Sequence, residues 1–146
     1  MITVLKKRFD VAQIQSDVSA QLPDVQLLVL FGSRAKDSAI DRSNWDIVVQ
    51  SVPSTYRGFQ QLVLQDEIAQ ILGLSSDEMD LVNLRYCSPL LAFAVAKEGQ
   101  LIYENESAAF HRFQVRAAKM YADTAKLRKL QNTYLGLEPD FGRMAK

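Results

Sequence analysis

The spacing of apolar residues divides the chain into alternating helical and strand-like segments. Residues 5–20 carry apolar side chains at helical intervals, and this segment ends before Pro23. Residues 25–31 form a continuous apolar run of strand length, which is typical of a strand buried on both faces. The pattern therefore predicts a helix followed by a central strand.

A polar stretch separates this strand from a second one. Residues 32–44 are rich in small and polar side chains, and residues 45–50 contain the β-branched residues that favour a strand. Residues 56–72 return to helical spacing and end at Gly73. Within residues 78–84 the apolar Met79 and Leu81 alternate with the carboxylate of Asp80, which predicts a third strand.

The last third of the chain is mainly helical. Pro89 suits the first turn of a short helix that ends near Gly99, and residues 101–104 have the length of a small edge strand. Residues 107–134 form a long helical segment with six basic residues and one acidic residue between positions 112 and 130. Such a run is usually a solvated helix face, and the alternative is a docking face for an acidic or RNA-bearing partner. The order of elements predicts an α/β fold.

Composition narrows the classes of protein that fit this pattern. At 146 residues the chain fits one domain, 1–146, with a core at about 25–104 and a helical extension at about 107–134. Apolar residues make up 48% of the chain and charged residues 23%, as in ordinary folded proteins. Seventeen basic residues balance seventeen acidic ones. We therefore expect no nucleic acid and no membrane as a bulk electrostatic partner.

The scarcity of cysteine and histidine removes several kinds of site. Cys87 is the single cysteine, so an internal disulfide is excluded. His111 is the single histidine, which excludes a Cys/His zinc cluster and makes it the only base for a Ser/His pair; we expect it on a helix surface or at an interface. No apolar run has the length of a signal peptide or a membrane span. We expect a soluble cytoplasmic protein.

Candidate chemistry lies where the first two strands are joined. Gly32 lets the backbone approach a ligand closely, and the amides and hydroxyl that follow at Ser33 are suited to receive phosphate oxygens beside the charge of Arg34. Residues two apart on a strand point to the same side, so Asn44 and Asp46 project together. Asp80, in the third predicted strand, is placed to complete the cluster.

Carboxylates in such a cluster indicate a magnesium site. Mg²⁺ prefers oxygen ligands and commonly binds one or two carboxylates together with substrate phosphates. Two such ions neutralise a leaving pyrophosphate and activate an attacking hydroxyl in an in-line displacement at phosphorus. Alone, a Gly-Ser turn is usually a plain turn, and a strand-end aspartate is usually a solvated cap. Their conjunction in this order favours the functional interpretation.

These residues carry a resemblance to a known family. The segment LFGSRAKDSAIDRSNWDIVV, residues 30–49, resembles the signature of the minimal nucleotidyltransferases in the DNA polymerase β superfamily: Gly-Ser, ten residues, then Asp-x-Asp. Asn44 and Asp46 occupy the two aspartate positions of the signature, of which only Asp46 is an aspartate, and Asp80 resembles the third carboxylate in its context. The resemblance covers about residues 25–104. It implies a polymerase β-like fold with a small mixed sheet flanked by helices and a long C-terminal helix.

The resemblance also implies an activity. A chain this short, with an extended C-terminal helix, is similar to the MNT antitoxins that are paired with HEPN toxins. Those antitoxins transfer AMP from ATP to a tyrosine of the toxin. The implied cofactor is Mg²⁺, the implied substrate is ATP, and the implied partner is a HEPN-type toxin. Asp46, Asp80 and Asn44 would be the catalytic and metal-binding residues, and Gly32, Ser33 and Arg34 the nucleotide-binding residues.

One position departs from the family pattern. Asn44 stands where the family has its first aspartate, and an amide is a much poorer metal ligand than a carboxylate. This leaves open an enzyme with weakened or abolished activity, and equally a substitution introduced into an active sequence. Two other functions stay open: a non-catalytic antitoxin that neutralises its toxin by binding, and a nucleotidyltransferase that acts on a small-molecule hydroxyl.

Overall fold

A computed structural model describes residues 9–32, 34–35, 44–52 and 59–136. Within these ranges it has five α-helices, four β-strands and two short 3₁₀ turns, Ser76–Glu78 and Leu84–Tyr86. In chain order the helices and strands are α1 (Val11–Gln21), β1 (Val25–Phe31), β2 (Trp45–Ser51), α2 (Phe59–Leu72), β3 (Met79–Asn83), α3 (Pro89–Glu98), β4 (Gln100–Glu104), α4 (Ala109–Asp123) and α5 (Ala125–Tyr134).

The four strands form one mixed sheet in the order β3-β2-β1-β4. β1 pairs antiparallel with both β2 and β4, whereas β2 and β3 run parallel. The parallel pair is possible because α2 carries the chain back across the sheet between the two strands. β1 is a central strand, as its continuous apolar run predicts, and β4 is an edge strand, as its short length predicts.

Helices cover both faces of the sheet, and each face has its own apolar cluster. Alternate positions of β2 divide between them, because successive strand side chains point to opposite faces. Ile47 and Val49 pack with α1 and α2, while Val48 packs with α3 and α4. The fully buried side chains of the α1–α2 side include Val18, Leu22, Leu28, Leu30, Ile47, Leu64 and Ile68. The sheet is therefore buried on both sides, as its continuous apolar runs predict.

Local signals set the helix boundaries. Ser88 caps α3 by accepting a hydrogen bond from the backbone N–H of Leu91, 3.1 Å away, and Pro89 occupies the first turn. α1 begins at Val11; the start of the predicted helix, residues 5–8, lies outside the described residues. The first three residues of the predicted 56–72 helix also lie outside them.

The predicted helical extension at 107–134 is present as two helices that meet at Thr124. The Thr124 hydroxyl lies 3.0 Å from the carbonyl oxygen of Met120, and such back-bonding by threonine bends helices. His111 is exposed on α4, as expected. No helix in the described part of the chain is long and apolar enough to cross a membrane.

Candidate nucleotide site

Gly32 ends β1 and lies directly against a carboxylate. Its φ angle is 76°, a left-handed conformation that favours glycine. A Cβ built on Gly32 would lie only 2.2 Å from Oδ2 of Asp46. The contact follows from the sheet, since Phe31 is the cross-strand partner of Asp46 in the antiparallel β1–β2 pair. Only glycine at this position leaves room for the Asp46 carboxylate.

Asp46 and Asp80 are paired across two parallel strands. Asp46 is the second residue of β2, Asp80 is the second residue of β3, and the two are register partners. Adjacent strands lie about 4.8 Å apart, so two side chains in register on one face are neighbours. Residues two positions along each strand, Val48 and Val82, pack on the α3–α4 side. Both carboxylates therefore belong to the α3–α4 face, at the end of the sheet where β1 turns.

This pairing concentrates negative charge. Burial raises the pKa of the Asp46 carboxyl above its ordinary value, and the nearby charge of Asp80 raises it further. Asp46 is half-buried and Asp80 is exposed. A cation between the two carboxylates would offset both effects, because its positive charge would stabilise the charged form of each carboxylate.

Asn44 lies beside this pair as the sequence predicts, immediately before β2. Its side-chain Nδ2 donates a hydrogen bond to Oδ2 of Asp80, at 3.1 Å. An aspartate in the same place would repel Asp80, whereas the neutral amide is attracted to it. Asn44 thus partly satisfies a carboxylate oxygen and adds no negative charge of its own.

Arg34 is held on the other side of β2. Its guanidinium carbon lies 4.4 Å from the ring centroid of Trp45, a cation–π arrangement. Trp45 is buried in the α1–α2 cluster, where Phe9 meets it edge-on with ring centroids 5.2 Å apart. Because Trp45 and Asp46 are adjacent on a strand, their side chains point to opposite faces. The structure therefore brings Arg34 to Trp45 and not to the carboxylate pair.

Gln100 contacts the loop that follows Gly32 and was missed by the sequence reasoning. Its side-chain Nε2 donates to the carbonyl oxygen of Ala35, whose own N–H donates to the carbonyl of Gly32 at 3.1 Å. The Oε1 atom of Gln100 is buried and has no hydrogen-bond partner among the described residues. A polar residue at the start of an edge strand gives no sequence signal for such a contact, which depends on the β1–β4 pairing.

The structure thus brings together four of the predicted site residues: Gly32, Asn44, Asp46 and Asp80. Ser33 lies outside the described residues. Within the described ranges no group of three or more His, Cys, Asp or Glu side chains forms a metal cluster. The carboxylate pair nevertheless has the donor chemistry of a magnesium site, since Mg²⁺ is commonly bound through one or two carboxylates with substrate phosphates.

Comparisons with known proteins agree with this geometry. Residues 12–108 match the family described as polymerase beta, nucleotidyltransferase. The chain is 32% identical over 115 residues to the protein adenylyltransferase MntA of Aphanizomenon flos-aquae (strain 2012/KM1/D3). That alignment covers 75% of this chain and 77% of the relative.

Solved structures share the fold. A toxin–antitoxin structure with AMP-PNP aligns with a TM-score of 0.66 at 24% identity, covering 86% of this chain and 98% of its own. The complex of a tri-AMPylated Shewanella oneidensis HEPN toxin with MNT antitoxin aligns with a TM-score of 0.60 at 23% identity, covering 86% and 95%. The mixed four-stranded sheet, the glycine-backed carboxylate pair and the family match lead to one assignment. This chain belongs to the polymerase β-like nucleotidyltransferases.

Proposed function

We propose that this chain is an antitoxin that transfers AMP from ATP to a tyrosine hydroxyl of a HEPN-type toxin and thereby neutralises it. The observation that carries the proposal is the Asp46–Asp80 pair packed against Gly32. Relatives support the choice of nucleotide and acceptor: one is named protein adenylyltransferase, and one structure pairs an AMPylated HEPN toxin with an MNT antitoxin. We also propose that the chain acts in the cytoplasm, where ATP is available.

The reaction is a substitution at the α-phosphorus of ATP. The tyrosine oxygen forms a bond to that phosphorus, the bond to the bridging oxygen of the β-phosphate breaks, and pyrophosphate leaves with the electron pair. The hydroxyl proton is released to solvent. Mg²⁺, held by Asp46 and Asp80, would neutralise charge on the triphosphate and the leaving group. Ser33 and the turn at Gly32 would bind phosphate oxygens through the backbone.

The residues around the carboxylate pair have distinct roles in the proposed reaction. Gly32 leaves space for the Asp46 carboxylate, and Gln100 fixes the following turn through the carbonyl of Ala35. Asn44 contributes an amide where the family has a carboxylate, so it would weaken metal binding without removing the site. Arg34 would contribute its positive charge to nucleotide binding from its position over the Trp45 ring.

A second candidate function is neutralisation by binding alone. The Asn44 side chain favours it, because this position lacks a charge and donates a hydrogen bond to Asp80. In that case the surface of this chain would block the toxin, and the nucleotide site would no longer catalyse AMP transfer.

The experiment that separates these functions uses intact-mass measurement. The chain is incubated with ATP, Mg²⁺ and the HEPN-domain product of a neighbouring gene, with Asp46→Asn as the matched control. We expect the HEPN protein to gain mass in AMP steps with the natural chain and not with the control. Neutralisation of ribonuclease activity without any mass gain, unchanged by Asp46→Asn, would establish binding alone. No neutralisation at all would contradict both functions.

A further inference from the structure

A cavity of about 550 Å³ lies at the end of the sheet away from the carboxylates. β2 runs from Asp46 at one end to Gln50 and Ser51 at the other, and the last two line the cavity. At about 3.3 Å per residue, Asp46 and Gln50 are separated by about 13 Å along the strand. The turn after β3, the start of α3 and one side of α4 close the cavity. It is therefore separate from the candidate nucleotide site.

The walls of this cavity favour an apolar group with an acidic neighbour. Ala92, Phe113 and Ala117 supply apolar surface from the two helices. Among the described lining residues, Arg85 and Arg116 are the only charged ones, and both are exposed. Because none of these described residues is a carboxylate, the field that they produce at the cavity mouth attracts negative charge.

An exposed apolar stripe continues from the cavity along the C-terminal helices. Backbone hydrogen bonds from Thr124 N–H to the carbonyl of Met120 and from Arg128 N–H to the carbonyl of Thr124, both 3.1 Å, join α5 to α4 across the bend at Thr124. Seven residues are nearly two turns, so the side chains two turns apart share one side. We name this stripe, together with the cavity, the docking surface; its exposed members are Met120, Leu127, Leu130 and Tyr134.

The docking surface has no partner within the described part of the chain. No described residue of α5 is buried, although Leu127, Leu130 and Tyr134 are more than half exposed. A short helix that contributes nothing to the core gains little stability from packing. Exposed apolar side chains grouped on such a helix mark an interaction surface. The exposed members of the stripe lie beyond the family match at 12–108, whereas most of the cavity lining lies within it.

The charge around the stripe identifies the kind of partner. Positions 112–130 have six basic residues and one acidic residue, and Lys119 and Lys126 are exposed beside the apolar stripe. Nucleic acid would use the positive charge but not the leucine side chains or the apolar cavity. We propose that the docking surface binds a protein that presents apolar side chains flanked by carboxylates.

This inference rests on the proposed function in one respect: the docked protein is the one that receives AMP. The docking surface and the carboxylate pair lie at opposite ends of the sheet. The tyrosine that receives AMP therefore lies outside the part of the partner that contacts the docking surface. Binding energy made equally in the ground and transition states lowers KM without raising kcat. Loss of the docking surface should therefore raise KM for the partner and leave kcat at saturating partner unchanged.

The test is the double variant Leu127→Asp/Leu130→Asp. We expect its affinity for the HEPN protein, measured by titration calorimetry, to fall about tenfold or more, as for loss of buried anchor residues. KM for that partner should rise by a similar factor. The matched control is Leu62→Asp on α2, because Leu62 is 60% exposed, close to 55% for Leu127 and 54% for Leu130. The control should bind as the natural chain does.

A second variant that changes only an exposed charge distinguishes loss of docking from misfolding of the double variant. Lys126→Glu changes one exposed side chain and should also weaken partner binding, whereas Lys97→Glu, exposed on α3, should not. Equal affinity of the docking variants and the natural chain would overturn the proposal. So would a loss confined to binding of a single-stranded oligonucleotide, or a change of the chain alone from dimer to monomer in sedimentation. If the variants lose affinity but no AMP transfer is seen with any chain, docking stands and the proposed function fails.

Discussion

The two ends of strand β2 place polar side chains on the same face of the sheet but differ in how these side chains are satisfied. At one end Asp46 neighbours a second carboxylate, Asp80. At the other end Gln50 donates from Nε2 to Oε1 of Gln26 at 3.0 Å and accepts a weak contact from Arg116 at 3.5 Å. The glutamine end has complementary donors and acceptors, while the aspartate end has two acceptors and a deficit of positive charge.

This difference indicates where ligand chemistry is located. The amides of the glutamine end satisfy each other's donors and acceptors, so nothing at that end calls for a metal ion or a phosphate. The aspartate pair is costly by itself, as the raised pKa of Asp46 records, and only a cation or a donor removes that cost. Asn44 donates a hydrogen bond to Asp80, so one acceptor of the aspartate end is paired with a donor, as the acceptors of the glutamine end are.

The largest expected effect comes from closing the space beside Asp46. Gly32→Ala adds a methyl group whose carbon would lie only 2.2 Å from Oδ2 of Asp46. The carboxylate must therefore move. We expect AMP transfer to fall about a hundredfold, because misplacement of a reacting group by 1 Å has an effect of that size. The measurement is the initial rate of AMP incorporation into the HEPN protein.

Gly73→Ala is the matched control for that variant. Gly73 has φ of 72°, close to the 76° of Gly32, but a Cβ there meets nothing within 4 Å. It should lose about 1–2 kcal/mol of stability from the left-handed backbone alone and keep its transfer rate. Equal losses of transfer in the two variants would show that backbone strain, and not the contact with Asp46, controls the site.

An intermediate effect is expected when the charge deficit at the aspartate end is increased. Asn44→Asp replaces a hydrogen-bond donor to Asp80 with a third carboxylate. We expect magnesium-dependent transfer to rise roughly ten- to a hundredfold, the range by which groups supporting a metal site change activity. Without Mg²⁺ the same variant should melt at a lower temperature, because repulsion replaces the hydrogen bond.

Asn105→Asp is the control for added charge, since Asn105 is exposed just after β4. It should change neither the transfer rate nor the effect of Mg²⁺ on the melting temperature. If labelled ATP gives equal, robust transfer with either residue at position 44, the metal role assigned to that position is wrong.

Most of the sheet was predictable, whereas the surroundings of the site were only partly so. The continuous apolar run at 25–31 identified β1, which is buried on both faces, and the β-branched residues at 45–50 identified β2. The ten-residue spacing from Ser33 and the strand period placed Asn44 and Asp46 on one side. The stacking of Arg34 on Trp45 and the contact of Gln100 with Ala35 depend on strand order and long-range packing, which no local pattern encodes. The division of the C-terminal helix at Thr124 also depends on side-chain bonding.

The smallest expected effect is a pH-dependent gain in stability when the aspartate end loses a charge. The pKa of Asp46 is raised in the folded protein, so the folded state holds this proton more tightly than the unfolded chain does. Stability therefore falls as pH rises from the ordinary pKa through the raised one. Asp46→Asn carries no titrating group and should be more stable than the natural chain at neutral pH, with the difference disappearing below the ordinary pKa of aspartate. The measurement is the melting temperature without Mg²⁺ across that range, with Asp123→Asn on the exposed side of α4 as the control for net charge. A constant difference at every pH would mean that shape, and not the repulsion between Asp46 and Asp80, sets the cost of the aspartate end.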